Sequence, residues 1–400
     1  MWPHLIFITA VVSVICVTYM IPRHTPGPKG QIPTKGEVWP RPQRQTKSNT
    51  YYKLNYSFHF SDFLNVGDAD GNIVLASHSI WGILRGLETF THLLYLSDDN
   101  SEIRINATRI EDYPAYKYRG LLIDTGRHYL NVDTIKVIIK SMAMNKLNAL
   151  HWHIVDDQSF PYQSEVYPML SEKGAFHPTM VYTKADIQQI VEAGRSVGIR
   201  CYKNDKQVGL GPMNPMINST FMFLQKLFQE VKQWFPDDYV HLGVNRYMKK
   251  HKLTTNGLHA EFMRKTIALL PPQTKTQIWQ VTDEGHAHTL RLLIVNFNQQ
   301  ILKAGQRVVF SSSWYLDYLS QGWETFYNAD PRQMVLACGE RWVWPRTSAI
   351  AERLWTGLDY KETDPVSDEV RRRIEEHACR MNRRGIKAEP PNGPGFCFVR

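Results

Sequence analysis

Residues 118–157 constrain what this chain can fold into more than any other stretch. Gly120-Leu121-Leu122-Ile123-Asp124 is a short apolar run ending in a carboxylate, the pattern of a strand buried on both faces. Residues 132–144 follow as an amphipathic helix, and 147–155 as a second buried strand that leads into Asp156-Asp157. Strand, helix, strand in that order predicts a parallel pair, because parallel partners need a long crossover connection. The alternation runs on through helix 183–197, strand 199–202, helix 221–234 and strand 239–242. Weaker strands are expected at 277–281, 308–311 and 334–337. A (β/α) barrel is the natural closure, and barrels carry their chemistry at the carboxyl ends of the strands.

At 400 residues the chain is longer than one hydrophobic core usually serves, so a smaller companion to the barrel is expected. It is read at 50–114 as a small α+β domain, with short apolar runs such as 73–76 and a helix over 81–96. The barrel and a C-terminal tail take 115–400. Residues 21–49 are rich in Pro, Gly and basic side chains without a hydrophobic period, and read as a linker. Within 1–20, the apolar run 5–20 has signal-peptide length and is short for a membrane span. An uncleaved anchor is the alternative, and the only route to the membrane. Sequons at Asn55, Asn106 and Asn218 agree with a secretory route. Cys379 and Cys397 bracket a Gly- and Pro-rich loop and are expected to pair in an oxidising lumen, while Cys201 and Cys338 read as buried thiols or strand residues. The net charge of +9 is spread along the chain with no nucleic-acid motif, which argues against a nucleic-acid partner.

The densest polar string is His151-Trp152-His153-Ile154-Val155-Asp156-Asp157. His151 and His153 share a face, so a metal with a carboxylate as third ligand is one reading, and His286 and His288 repeat the spacing. Trp152 and the paired Asp favour stacking and hydrogen bonding on a sugar instead. A third reading makes both histidines satisfied residues of the barrel wall. Arg127 offers a forked pair of donors to vicinal hydroxyls, or a salt bridge to Asp124 or Asp156. Later strands end in Trp279, in Trp314-Tyr315-Leu316-Asp317 and in Trp342-Val343-Trp344. Aromatic faces pack on a pyranose ring and Asp317 can accept from its hydroxyls, so several such residues at one rim point to a carbohydrate cleft.

The strings at 81–90, 118–129 and 145–162 closely resemble the β-N-acetylhexosaminidases of glycoside hydrolase family 20, of the animal lysosomal type. So do His241-Leu242-Gly243, Ser313-Trp314-Tyr315-Leu316-Asp317 and Ala351-Glu352-Arg353-Leu354-Trp355, and the likeness runs from about residue 39 to 397. The resemblance implies an α+β domain before a (β/α)8 TIM-type barrel, and removal of terminal N-acetylglucosamine or N-acetylgalactosamine from glycans. It implies no cofactor, and a lysosomal or extracellular protein working as a homo- or heterodimer. It also implies substrate-assisted catalysis, in which the sugar's own 2-acetamido oxygen attacks the anomeric carbon. An enzyme Asp would orient the acetamide, and an adjacent Glu would act as general acid and then base. By position, the resemblance puts Arg127 on sugar hydroxyls, Asp156 in support of the catalytic network and Tyr315 on the acetamide. Asp317 would bond a hydroxyl, and Trp279 would wall the pocket.

The chain departs from that pattern at its centre. Where the family continues His-Leu-Gly with Gly-Asp-Glu, this sequence has Val244-Asn245-Arg246. Asn245 can hydrogen-bond but carries no charge, and the Arg246 guanidinium stays protonated and cannot act as a general acid. The Pro-Gly-His-Thr loop expected after Gly198-Ile199-Arg200 is absent. A helix ending near Leu270 is followed almost at once by Gln277-Ile278-Trp279, which leaves no room for the fifth strand. The expected fold is thus a barrel lacking its strand 5 region, with two strand edges open unless 253–270 or 295–302 substitutes. The chain reads as a hydrolase by family whose catalytic pair is not intact; a glycan-binding or partner-subunit relative is the alternative.

Overall fold

The computed structural model describes residues 29–30, 34–54, 65–66, 73–156, 158–206, 218–235, 239–243, 264–271, 274–278, 316, 322–328, 343–357, 365–393 and 395–397. Five strands pair in parallel and in chain order: Gly120–Asp124, Ala149–His153, Arg200–Lys206, Tyr239–Gly243 and Lys275–Ile278. The register sets Asp124 beside His153 and Leu242 between Asp205 and Ile278, so all five carboxyl ends face one edge.

The connecting helices form where side-chain spacing and caps agree. Val132–Met144 starts at Asn131, whose side chain accepts from the Thr134 N–H at 2.8 Å. Its Ile135, Ile138, Ile139 and Met142 lie on one face and are buried with Leu121, Ile123 and Leu150 of the strands. Lys184–Ser196 opens on a capping box between Thr183 and Asp186 and buries Ile187 and Ile190. Asn218–Trp234 contributes Leu227, Val231 and Trp234 to the same core.

One expectation is corrected here. The strand expected at 277–281 runs from Lys275 to Ile278 among the described residues, and it pairs directly with Tyr239–Gly243. Neither 253–270 nor 295–302 is needed to cover that edge. A parallel ladder asks only for an extended segment with free N–H and C=O groups, so when the intervening strand is lost the next one takes its place. The strands expected at 308–311 and 334–337, like residues 1–20, lie outside the described residues.

The N-terminal unit pairs Arg44–Leu54 antiparallel with Ile103–Glu111, with a bulge between Lys47 and Tyr51, and Tyr95–Leu96 on the other side. Its helix spans Ile80–Leu93, ending before the expected position because Leu94 turns extended and feeds the short strand. Gly82 and Gly86 let segment 75–79 lie against this helix; a Cβ on Gly86 would meet Leu75 Cδ1 at 2.3 Å. Arg85 fastens the helix to the unit built on the parallel sheet. Its guanidinium donates to the carbonyls of Ala143, Leu147 and Val197 at 3.2, 3.1 and 2.9 Å. Ala143 and Val197 lie at the carboxyl ends of helices Val132–Met144 and Lys184–Ser196, where a cation also complements the helix dipole, and Leu147 follows the first of them. Burial lowers the Arg85 pKa to about 10, still well above neutrality.

The linker expected at 21–49 is not a free arm over its described part. Trp39 is fully buried; its indole N–H donates to Ser348 O at 3.1 Å and its backbone N–H to His92 Nδ1 at 3.3 Å. The Arg41 N–H donates to Glu352 Oε2 at 3.0 Å, and Glu352 is itself paired with buried Arg373. Residues 44–54 are strand. No hydrophobic period marks this anchoring because one tryptophan and a few side-chain acceptors accomplish it without a ladder. Cys379, on helix Asp368–Arg383, is joined to Cys397 by a disulfide, and Cys201 is a buried free thiol.

Trp39 also roofs a buried histidine pair. His377 stacks on its ring at 6.1 Å and meets His92 edge-on at 5.6 Å. His92 accepts from Trp39 at Nδ1 and donates from Nε2 to Glu88 at 3.1 Å; His377 donates from Nε2 to Asn145 Oδ1 at 3.0 Å, and its Nδ1 has no hydrogen-bond partner. The His92 pattern suits a neutral imidazole alone, since a proton on its Nδ1 would face the Trp39 N–H. Burial holds both pKa values well below 6.5, assisted by the positive charges of Arg380, with Lys146 and Arg384 acting on His92. A folded-state pKa below the unfolded one means that stability is present above about pH 6.5 and is lost as pH falls through it. Unfolding free energy, measured by chemical denaturation, is expected to drop between pH 7 and 5 by about 2 kcal/mol for each histidine. The double variant His92→Gln with His377→Gln should flatten that slope; an unchanged slope would assign the acid sensitivity elsewhere.

Candidate active site at the carboxyl ends of the strands

The first strand leaves the sheet through Asp124, Thr125, Gly126 and Arg127, and the second through Ile154, Val155 and Asp156. The two exits interlock. The N–H groups of Thr125 and Gly126 both donate to His153 O, at 3.0 and 3.2 Å. Gly126 lies so near the second exit that a Cβ there would come within 2.7 Å of the Asp156 nitrogen, and only glycine leaves room.

This contact brings together two buried carboxylates and a guanidinium. Asp124 accepts from the Arg127 backbone N–H at 2.9 Å and is also paired with the Arg127 guanidinium. The other arm of that guanidinium reaches Asp156 Oδ2 at 2.8 Å, and His153 Nε2 lies 2.5 Å from the same oxygen. Asp156 is wholly buried, whereas the Arg127 side chain is 45% exposed. A half-exposed cation is therefore oriented from behind by two anions. A fork held in this way can donate to vicinal hydroxyls.

The salt-bridge reading of Arg127 thus holds, and for both partners: it bridges Asp124 and Asp156 together. The sugar-stacking reading of Trp152 is corrected. Trp152 is fully buried, donates from its indole nitrogen to Thr125 Oγ1 at 2.8 Å, and meets Tyr182 and Phe235 edge-on. On an all-buried strand even the outward side of the pleat faces a helix layer, so an aromatic there is core. The bond from His153 to Asp156 was legible only as a shared face of two histidines; their spacing on an exiting strand was the available signal.

A metal reading has a geometric counterpart, since Asp124, His153 and Asp156 each present a ligand atom within 4.8 Å of one another. The Arg127 guanidinium already occupies the space those carboxylates share, so these residues do not fit a cation of higher charge without displacing it. His286 and His288 lie outside the described residues, as do Asp157, Asn245, Arg246, Trp279, Tyr315 and Asp317. Among the sequons, Asn106 sits within a strand with its side chain engaged by Tyr95 OH and Ser48 O, Asn218 is exposed at a helix start, and Asn55 is outside the described residues.

The comparisons settle the family. The model of the glycosyl hydrolase family 20 catalytic domain matches residues 116–205 and 200–337. The chain belongs to this family. Its two matched pieces meet where the sequence leaves the family pattern after Gly198-Ile199-Arg200. The chain is 36% identical over 391 residues to the β-hexosaminidase subunit beta of Felis catus, covering 79% of this chain and 73% of that one. It is 31% identical over 455 residues to the mouse subunit alpha, covering 90% and 84%. A family 20 β-N-acetylglucosaminidase structure superposes with a TM-score of 0.71 at 18% identity, covering 91% of this chain and all of its own (100%). The Vibrio harveyi exo-β-N-acetylglucosaminidase, solved with N-acetylglucosamine, gives 0.70 at 16% identity, covering 92% and 81%. The fold is that of the family, and by sequence this is a β-N-acetylhexosaminidase-type glycoside hydrolase.

Removing the guanidinium would leave two buried carboxylates facing each other. Arg127→Met is expected to cost about 3 kcal/mol in urea denaturation, the lower end for breaking a buried pair because Arg127 is half-exposed. Adding Asp156→Asn should recover at least about 1 kcal/mol, by removing one of the stranded charges. A single variant as stable as the parent would show that the cluster does not hold the strand ends together.

Proposed function

We propose that this chain holds the terminal N-acetylhexosamine of glycans at the carboxyl ends of its parallel strands, and hydrolyses it far more slowly than the intact family pair would. One observation carries the reading. Strand Tyr239–Gly243 lies in the fourth place of the sheet, with its carboxyl end at the edge where Arg127 and Asp156 stand, and in the sequence it is followed by Val244-Asn245-Arg246. The residues that support sugar binding by resemblance, Arg127, Tyr315, Asp317 and Trp279, are kept in the sequence, as is Asp156, which supports the catalytic network. The two that would do chemistry are not.

The consequence follows from charge. Expelling the aglycone needs a proton on the leaving oxygen, and Arg246 cannot give one near neutral pH. The anomeric carbon becomes cationic as the acetamide oxygen attacks it. Asn245 can still orient the acetamide, yet it supplies no negative charge, and Arg246 adds a positive one. General acid–base assistance alone is worth roughly 10²–10⁴-fold in rate. Sugar recognition through Arg127 does not depend on either residue.

The same resemblance supports a secretory or lysosomal setting and assembly as a homo- or heterodimer with a related subunit. The relatives' names mark them as subunits. In a mixed dimer this chain would be the glycan-binding partner of a hydrolysing one.

Restoring the pair tests the proposal. Asn245→Asp combined with Arg246→Glu is expected to raise kcat on a chromogenic aryl β-N-acetylglucosaminide by at least roughly 10²-fold, with KM little changed and with no effect of chelator. A parent chain that already turns over at the rate of the restored variant would sink it.

A further inference from the structure

At the opposite end of the strands lies a cavity of about 1130 Å³. It lies between helix Ile80–Leu93, strand Ile103–Glu111 and the amino ends of the barrel strands at Arg119, Asn148 and Ile199. The first strand, Gly120–Asp124, separates it from the Arg127 cluster by roughly 13 Å of backbone. It shares no lining residue with that cluster.

Its chemistry is two-sided. Phe90, Ile105, Ile199 and Cys201 are buried apolar walls. Trp81, Val74 and Tyr113, all lining residues, remain 43, 52 and 52% exposed, a large apolar rim for a surface facing water. Five arginines line the cavity, at 85, 109, 119, 195 and 200, against one carboxylate, Asp112. Asp112 is already taken by Lys146 at 2.7 Å and by the Trp355 indole at 2.7 Å. Arg85 and Arg119 spend their donors on backbone carbonyls, which leaves their charge uncancelled by any of these lining groups. Arg195 has only exposed Glu192, at 3.7 Å.

We infer that this cavity binds a single-chain anionic amphiphile, with its acyl chain along the apolar walls and its phosphate among the arginines. The volume slightly exceeds the roughly 300–1,000 Å³ usual for small-ligand pockets and suits an extended chain better than one sugar ring. The planar guanidinium forks of exposed Arg109 and Arg195 can match phosphate oxygens in pairs, while part-buried Arg85 and buried Arg119, whose donors are taken, contribute charge alone. A lining in which arginines outnumber carboxylates disfavours a cationic occupant. This assignment is independent of the sugar site, because the two lie at opposite ends of the sheet.

The test titrates the full mature chain with monomeric lysophosphatidic acid by calorimetry. Lysophosphatidylcholine of the same acyl length and glycerol 3-phosphate serve as comparisons. Saturable binding of one lysophosphatidic acid per chain is expected, at least tenfold tighter than either comparison. Arg109→Glu reverses a charge at the exposed mouth, and Val191→Trp fills the cavity without changing charge. Each should weaken binding at least tenfold, whereas Lys140→Glu, on an exposed helix face elsewhere, should not. Equal binding of the zwitterionic lipid, or binding indifferent to both variants, would overturn the inference. So would a chain dimer in size-exclusion chromatography that excludes the probe, since it would give the cavity to a second copy.

Discussion

Parallel pairing puts the carboxyl ends of all five described barrel strands at one edge, and the rest of the molecule is arranged around that fact. Because Asp124 and His153 are register partners, the two loops that follow them must leave the sheet side by side. Gly126 permits the close approach, and Arg127 neutralises the carboxylates that the approach would otherwise set against each other. The cation at the site is therefore both a brace and a reader. Its back is committed to Asp124 and Asp156, and its exposed face is turned to the cleft.

The amino ends meet a different problem. Crossover helices end there with unsatisfied carbonyls, and Arg85, from the N-terminal unit, takes up those of Ala143 and Val197 together with that of Leu147. Trp39 reaches from the N-terminal segment to Ser348 and to the His92–His377 pair, so three distant parts of the chain converge on one indole. These fastenings hold the small unit at the base of the barrel and leave between them a cationic, apolar-walled space.

Much of this was legible in advance. Strand Gly120–Asp124 and helix Val132–Met144 fall where their apolar spacing predicts, because a buried strand and a capped amphipathic helix are locally specified. Trp152 misled because an aromatic on a buried strand looks the same in sequence whether it faces a sugar or a helix layer. The anchoring of 34–43 left no periodic trace, since Trp39 and Arg41 are tied by single long-range bonds. The place of Lys275–Ile278 depended on which strand was free to pair, and no local pattern encodes that. At the site, Arg127 and Asp156 were found by strand position and family likeness. Their joint use of Asp124 and His153 is a tertiary fact.

The central claim is that a sugar-holding edge has been kept while its proton donor has been replaced. Saturation-transfer NMR on a β-linked N-acetylglucosamine disaccharide incubated with the purified chain reads both halves in one sample. The account predicts transfer to the N-acetyl methyl of the non-reducing sugar, with no growth of free N-acetylglucosamine signals beyond the buffer control. Rapid accumulation of the free sugar, or the absence of any transfer, would contradict it.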